Sequence, residues 1–259
     1  MKKFILLVFL GTFCFTSCDK VESPQRVINI DKEFTIEMIE VLSPDQNSLA
    51  FNITTIENQE CLNSSITFSA SSRTELIRII LEGINTPENC VSGNQLISST
   101  IPFSTPNDQI EVEIQLSDVI NNNGKIEVNE DGNQYSLTME TEHGFRISNT
   151  VLNTIPKGYF WGYIGTNNIQ IINAFEGFLN EISNEGIDAI FSDGNYGHFN
   201  IDNQNIDKVK GKEDLQNEVI FLKELTGSKE QIEQIAEEFR VQYGTDLVLK
   251  VFTSEGEIY

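Results

Sequence analysis

The sequence contains few of the residues on which most catalytic and metal sites depend. Its 259 residues include two histidines, one tryptophan and four cysteines. The metalloprotease motif H-E-x-x-H, the redox motif C-x-x-C, the phosphate-binding P-loop and the hydrolase motif G-x-S-x-G do not occur in it. We therefore predict no cofactor, no catalytic residues and no metal-ligating residues, and we favour a binding role over an enzymatic one.

Basic residues are also scarce, with 17 Lys and Arg against 39 Asp and Glu, a net charge of −22. Such a surface repels the phosphates of nucleic acids, so we exclude nucleic acid as a partner. Two interpretations of the acidity remain, namely solubility outside the cell and attraction for cations such as Ca²⁺. The simpler one is solubility.

One acidic stretch has some features of a calcium-binding loop. Glu127, Asn129 and Asp131 alternate before Gly132, as in the first half of an EF-hand loop. The twelfth position is Thr138 instead of a bidentate glutamate, and no helices are predicted on either side. The sequence therefore favours a hairpin turn over a cation site here.

The first 17 residues have the order of a secretory signal peptide. Two lysines are followed by an almost unbroken apolar run over residues 4–15, and then by Thr16 and Ser17. The run is too short to span a bilayer as a helix of the mature protein. An ordinary cleaved signal and an uncleaved anchor are both alternatives at this point.

The stretch Phe15-Thr16-Ser17-Cys18 resembles the lipobox of bacterial lipoproteins. In that family, signal peptidase II cuts just before a cysteine that carries a diacylglycerol thioether. Phe15 replaces the usual leucine but keeps its apolar character. The resemblance implies that residues 1–17 are removed and that Cys18 is the lipidation site. It also implies that residues 18–33 are the lipidated cysteine and a tether.

The chain as a whole looks like the two-domain lipoproteins of Gram-negative bacteria. This resemblance implies a cell-envelope location, with acyl chains such as palmitate holding the protein to a membrane, and we expect the outer membrane. Each buried acyl methylene contributes about 0.8 kcal/mol, so two or three chains hold a protein firmly. The partners expected are thus the membrane and an unknown protein or glycan ligand.

Cys61 and Cys90 are the cysteines that remain beyond the lipobox. An exported protein occupies an oxidising compartment, where an even pair favours a disulfide over a metal or catalytic site. The alternative is two buried free thiols.

The sequence predicts an α+β protein with two domains. Residues 34–153 contain about eight short alternating strands separated by turns such as Pro44-Asp45 and Asn123-Gly124, which indicates an antiparallel β-sandwich. Residues 154–259 read as strand–helix–strand twice, with apolar helical faces in 167–183 and 228–243. That duplicated order most simply builds a ferredoxin-like α+β domain.

The most concentrated aromatic run provides the candidate ligand-binding residues. Tyr159, Trp161 and Tyr163 share one side of a predicted strand, because side chains alternate along a strand. They could form an aromatic platform for a sugar or a peptide on the helix-free face of the sheet, and His198 could line the same surface. The alternative is that this face packs against the β-sandwich.

These observations predict a membrane-anchored cell-envelope lipoprotein that acts as a non-enzymatic binding or accessory module. Two alternatives stay open: an envelope hydrolase whose active site no motif marks, and a calcium-stabilised structural surface protein.

Overall fold

The computed structural model describes residues 31–106, 108–117 and 119–259. These residues form nineteen strands and two α-helices, which makes the protein a β-rich α+β protein. None of the helices in the described ranges has the length and apolar character needed to cross a membrane. The predicted signal peptide and the lipidation site Cys18 lie outside the described residues.

Residues 31–153, which we call the N-terminal part, consist of strands. They are β1 (Phe34–Val41), β2 (Ser48–Thr55), β3 (Gln59–Cys61), β4 (Ser65–Ser72), β5 (Leu76–Asn85), β6 (Ser92–Gln95), β7 (Ser98–Phe103), β8 (Gln109–Leu116), β9 (Ile120–Val128), β10 (Gln134–Met139), β11 (Phe145–Ile147) and β12 (Val151–Asn153).

Two larger sheets of the N-terminal part share one hydrophobic core. One has the strand order β11-β1-β2-β7 and the other β12-β10-β9-β8-β5-β4. In β1, alternate side chains such as Phe34, Ile36 and Met38 are buried, and they join Ile79 and Ile114 of the second sheet in the same cluster. The period-two pattern of the sequence therefore marks the inward face of each sheet.

The pairing differs from the purely antiparallel arrangement that the sequence predicts. β1 pairs with β11 and β5 pairs with β8 in parallel, while the remaining pairs of the two sheets are antiparallel. Parallel neighbours need a crossover between them. The chain makes that crossover between β5 and β8 by passing through β7 in the other sheet.

The predicted disulfide between Cys61 and Cys90 is present, with the two Cα atoms 5.4 Å apart. Cys61 ends β3, whose partner is β6, and Cys90 lies just before β6. The bond thus links the last residue of β3 to the segment that leads into β6, next to the pairing of Cys61 with Ser92.

Residues 154–259, the C-terminal part, contain both α-helices. Its elements are β13 (Tyr159–Thr166), a 3-10 helix (Ile169–Ile171), α1 (Asn173–Ile182), β14 (Gly186–Asp188), β15 (Gly194–Asn195), β16 (Phe199–Asp202), β17 (Asn205–Val209), β18 (Asn217–Leu225), α2 (Lys229–Tyr243), a second 3-10 helix (Gly244–Asp246) and β19 (Val248–Thr253).

The main sheet of the C-terminal part has the order β14-β18-β13-β19, with every pair antiparallel. Both helices cover one face of this sheet, where Phe178 of α1 and Ile232 of α2 pack with Phe160 and Val251 of the strands. The start of α2 is fixed by Ser228, whose Oγ accepts the Gln231 N–H at 3.2 Å. Such a cap satisfies a donor that a helix start otherwise leaves unpaired.

The other face of the main sheet is covered by residues 189–216, which we call the insertion. The insertion lies between β14 and β18 in the chain and forms its own sheet, in the order β15-β16-β17. Its Phe199, Ile201 and Val209 form a separate hydrophobic cluster with Trp161 and Leu222 of the main sheet. The main sheet is therefore buried on both faces.

Candidate functional site: a cleft where the two parts of the chain meet

Two of the predicted platform residues lie under the insertion. Trp161 is 1% exposed and Tyr163 is fully buried. The Trp161 ring packs against Phe199 with centroids 5.1 Å apart, and against Phe252 at 6.1 Å. The helix-free face is thus covered by a hairpin of the same chain. These two side chains belong to a core and do not line an open surface.

His198, which the sequence also suggested as a ligand residue, holds the insertion against the N-terminal part. Its Nε2 lies 2.8 Å from the backbone oxygen of Glu40. β11 pairs with β1 only as far as Ile36, so the imidazole covers part of the β1 edge that β11 leaves open. Burial lowers the pKa of His198. Because a carbonyl oxygen only accepts, His198 carries a proton on Nε2 and donates it to Glu40.

The side chain of Glu40 ties the same edge to the segment that connects the two parts. Its Oε2 accepts the N–H of Ile155 at 2.9 Å, and its Oε1 accepts a bond from Asn47 at 3.1 Å. Burial raises the pKa of Glu40, and these two bonds oppose the rise. A buried carboxyl is tolerated here because both oxygens are hydrogen-bonded.

Further bonds cross the same junction. The Lys210 ammonium of the insertion lies 2.9 Å from a carboxylate oxygen of Glu37 on β1. Asn195 donates to the backbone oxygen of Val151 at 3.2 Å, at the start of β12. Together with the bond from His198 to the Glu40 carbonyl, these bonds fix the insertion relative to the N-terminal sheets.

Beside this junction lies an open cleft of about 360 Å³. We call it the junction cleft. Its lining comes from three stretches of sequence: the β9–β10 turn and start of β10, the connection from β12 to β13, and the first part of the insertion. The lining residues are Asn133, Gln134, Asn153, Thr154, Pro156, Tyr159, Ile190, Phe191, Ser192, Asp193 and Tyr196.

One wall of the junction cleft is aromatic. The Phe191 ring lies between the other two rings, with centroids 5.0 Å from Tyr159 in an edge-on arrangement and 5.0 Å from Tyr196. Tyr196 is held in place by its hydroxyl, which donates to the backbone oxygen of Ser192 at 3.0 Å. Of the three aromatic residues predicted to form a platform, Tyr159 is thus the one that lines the junction cleft.

A second part of the lining, which we call the amide wall, carries amide side chains. Gln134 Nε2 donates to Asn153 Oδ1 at 2.8 Å, and Asn129 Nδ2 donates to Asn133 Oδ1 at 2.8 Å. Asn153 packs directly under Gly194, where a Cβ would overlap its Nδ2. Gly194 also has a φ of +149°, a conformation that favours glycine. The amides are therefore held in defined positions.

The junction cleft has little charge. Among its lining residues Asp193 is the carboxylate, and none of them is a lysine, arginine or histidine. Asp193 Oδ1 accepts the Gln204 N–H at 3.0 Å. Burial raises the pKa of the Tyr196 hydroxyl, and the nearby Asp193 adds to that rise. The Tyr196 hydroxyl is therefore neutral at physiological pH.

The cleft lining presents aromatic rings and amides that can stack and hydrogen-bond. Its charged side chain is the Asp193 carboxylate, and His198 faces Glu40 instead of the cleft. In the described ranges, no three His, Cys, Asp or Glu side chains are grouped closely enough to hold a metal ion.

The stretch with calcium-loop features forms part of a tight turn between β9 and β10. Asn129 Oδ1 accepts the N–H groups of Asn133 and Gln134 at 3.0 and 3.1 Å. Gly132 provides the positive φ of +70° that the turn needs. The Asn129 oxygen, which would have to face a cation, thus faces the backbone of the turn.

Most of the cleft residues carry no signal in the sequence by which they could have been selected. Phe191 follows the three-residue strand β14, Tyr196 follows the two-residue strand β15, and Asn133 and Asn153 look like ordinary turn residues. The shared feature is that each lies in a loop rich in Asn, Asp or Gly. Such loops are common in proteins. Only folding brings the three loops near residues 133, 153 and 193 together.

Comparison of the chain with protein-family models, with curated proteins and with solved structures found no match.

Proposed function

We propose that this protein is a lipid-anchored cell-envelope protein, most simply of the outer membrane, that binds a ligand in the junction cleft without transforming it. The observation that carries the binding role is the cleft itself. It combines a packed aromatic wall, fixed amides and almost no charge. Small-molecule sites are typically concave, with aromatic side chains and a few placed polar groups.

The anchoring role rests on the lipobox-like stretch that ends at Cys18. The described contacts begin soon after it, where the Lys32 ammonium lies 3.6 Å from Glu142 and the Glu33 N–H donates to the Gly144 oxygen at 2.8 Å. A tether between Cys18 and this point allows the folded parts to stand off a membrane surface. Metabolic labelling with a clickable fatty acid tests this directly, since we expect label on the native protein and none on Cys18→Ala.

We also propose a finer description of the architecture. One shared core between two sheets supports a β-sandwich for the N-terminal part. The order β14-β18-β13-β19 with two helices on one face supports a ferredoxin-like layer for the C-terminal part. On this description the insertion is an addition between the second and third strands of that layer.

The binding role is tested by thermal shift on the full-length protein in detergent. The panel contains neutral oligosaccharides, short peptides, nucleosides and quaternary ammonium compounds. A ligand that binds only the folded state raises the Tm. We expect one class to do so in the native protein and less so in Tyr159→Ala and Gln134→Ala.

The matched control is Gln242→Ala, at an exposed site on α2, on the helix-covered side of the main sheet. It should respond to ligands as the native protein does. If no class raises the Tm, or if all variants respond equally, the junction cleft is not the binding site.

A further inference from the structure

We infer that the ligand of the junction cleft is a neutral saccharide. This inference rests on the proposed binding role and adds the chemical class of the ligand. It is carried by three features of the cleft: the aromatic wall, polar groups of the lining residues that have no partner among the described hydrogen bonds, and the near absence of charge.

The aromatic wall matches the apolar faces of a sugar ring. Pyranose rings present C–H groups on their faces and hydroxyls around their rims, so they pack flat against aromatic side chains. Phe191 meets Tyr159 edge-on and the buried Tyr196 at a tilt, each with centroids 5.0 Å apart, so the half-buried Phe191 and Tyr159 are the rings that a sugar face can contact. Aromatic rings supply large contact areas at a small cost in conformational entropy.

The polar side chains retain hydrogen-bonding capacity that the protein does not use. Across the described hydrogen bonds, the Gln134 Oε1, Asn133 Nδ2, Asp193 Oδ2 and Tyr159 hydroxyl have no protein partner. Carboxylate and amide oxygens accept, amide nitrogens donate, and a sugar hydroxyl does both. A ligand with several neighbouring hydroxyls can therefore satisfy this mixed set.

The charge of the cleft argues against the other ligand classes. Phosphorylated or carboxylated ligands would meet Asp193 and no cationic side chain among the described lining residues. A quaternary ammonium could sit against the rings, but it has no hydrogen-bonding groups for the amides. Charge and hydrogen bonding thus disfavour these two classes, whereas a neutral saccharide can use both the rings and the amides.

The size of the cleft limits how much of a saccharide it holds. Its volume of about 360 Å³ lies at the lower end of the range for small-molecule sites. This fits a short segment of a glycan chain, with the remainder extending into solvent through the open side. Ile190, which is 79% exposed at the rim, is placed to contact such an extension.

The test is a glycan array followed by calorimetry, using the full-length protein in detergent. The array carries neutral oligosaccharides, including N-acetylated ones, alongside sulfated glycans, and tetramethylammonium is titrated separately. We expect neutral glycans to bind and the sulfated glycans and the cation not to. Phe191→Ala removes one aromatic contact with the sugar. The dissociation constant should therefore rise about tenfold, which matches the free energy of one aromatic pair.

Because Phe191→Ala also removes a side chain that packs in the insertion, Gln134→Ala provides a second variant that keeps this packing. It should also weaken glycan binding, while Gln242→Ala should not. If tetramethylammonium binds, if Tyr159→Ala weakens that binding, and if no glycan binds, the saccharide class is wrong and the cleft stands. If no probe of any class binds, both the inference and the binding role fail.

Discussion

His198 offers a sharp test of how the two parts of the chain are joined. If it acts as a structural contact, replacing it should lower the stability of the fold. Its ring contributes a hydrogen bond to the Glu40 carbonyl at 2.8 Å and an aromatic contact with Trp161 at 5.8 Å between centroids. The chosen perturbations are His198→Gln, which can still donate to the carbonyl, and His198→Ala, which cannot.

The expected losses differ between the two variants. His198→Gln gives up the aromatic contact, which contributes about 0.5–1.5 kcal/mol to the free energy of unfolding. His198→Ala also removes the donor for the Glu40 carbonyl, which costs about 1–3 kcal/mol more when no other donor replaces it. We therefore expect losses of about 1 kcal/mol and about 2–4 kcal/mol respectively.

A pH dependence should accompany these losses. Burial lowers the pKa of His198 below its ordinary 6.5. The unfolded chain therefore takes up a proton first as the pH falls, and the folded state loses stability through that range. Lys210 nearby lowers the pKa further, and Glu37 opposes this. The glutamine variant cannot titrate, so the difference between it and the native protein should shrink as the pH falls from about 7.5 to 5.5.

The assay is urea unfolding followed by the fluorescence of Trp161, the single tryptophan of the chain, which contacts the His198 ring. His143→Gln is the control, because His143 is the other histidine and is exposed. Equal stability of His198→Ala and the native protein, or a pH response unchanged in His198→Gln, would refute the structural role.

Three further predictions concern packing, covalent linkage and charge. Gly162→Ala should sharply lower the Tm, because a Cβ there would overlap a carbonyl oxygen of β19. Gly177→Ala on α1, where the nearest atom would be 3.5 Å away, should be neutral or slightly stabilising; similar Tm values for both would contradict this packing. Replacing Cys61 and Cys90 with alanine should cost up to about 3–4 kcal/mol and abolish the effect of a reductant on unfolding; a reductant effect that persists would speak against the bond's role. Burial raises the pKa of Glu40, so this carboxyl should contribute a loss of stability as the pH rises above 4.5, opposite in sign to the contribution of His198. Relative to the native protein, Glu40→Gln should therefore become more stable as the pH rises, when Tm is measured between about pH 4 and 7. An identical slope in the variant would rule out this cause.

Much of the local structure could be predicted because each element depends on its own residues. The alternation in FTIEMIEV matches the alternating burial of β1. Ser228 caps α2, which the apolar spacing predicts at 228–243 and the structure places at 229–243. The disulfide between Cys61 and Cys90 was predicted from the oxidising compartment expected of an exported protein and from the even number of cysteines beyond the lipobox. Predicting these features requires little information about contacts between residues far apart in the fold.

The partners of each buried face could not be predicted in the same way. The aromatic run from Tyr159 indicated a strand with two apolar sides, and the structure buries both sides of β13. The alternation of apolar residues along a strand predicts which side is buried, but it does not predict which part of the chain covers that side. The cover is the insertion, and the parallel pairing of β5 with β8 was equally invisible in the sequence.

By itself, then, the sequence determined the β-rich composition, the acidic surface and the disulfide, and it supplied the expectation of an anchor at Cys18. Only the tertiary structure decided that Trp161 belongs to a core, that His198 joins the insertion to β1, and that a cleft forms between distant loops. The physical reason is separation along the chain. Propensity and periodicity act over a few residues, whereas the cleft unites loops near 133, 153 and 193 whose contact exists only after the strands have paired.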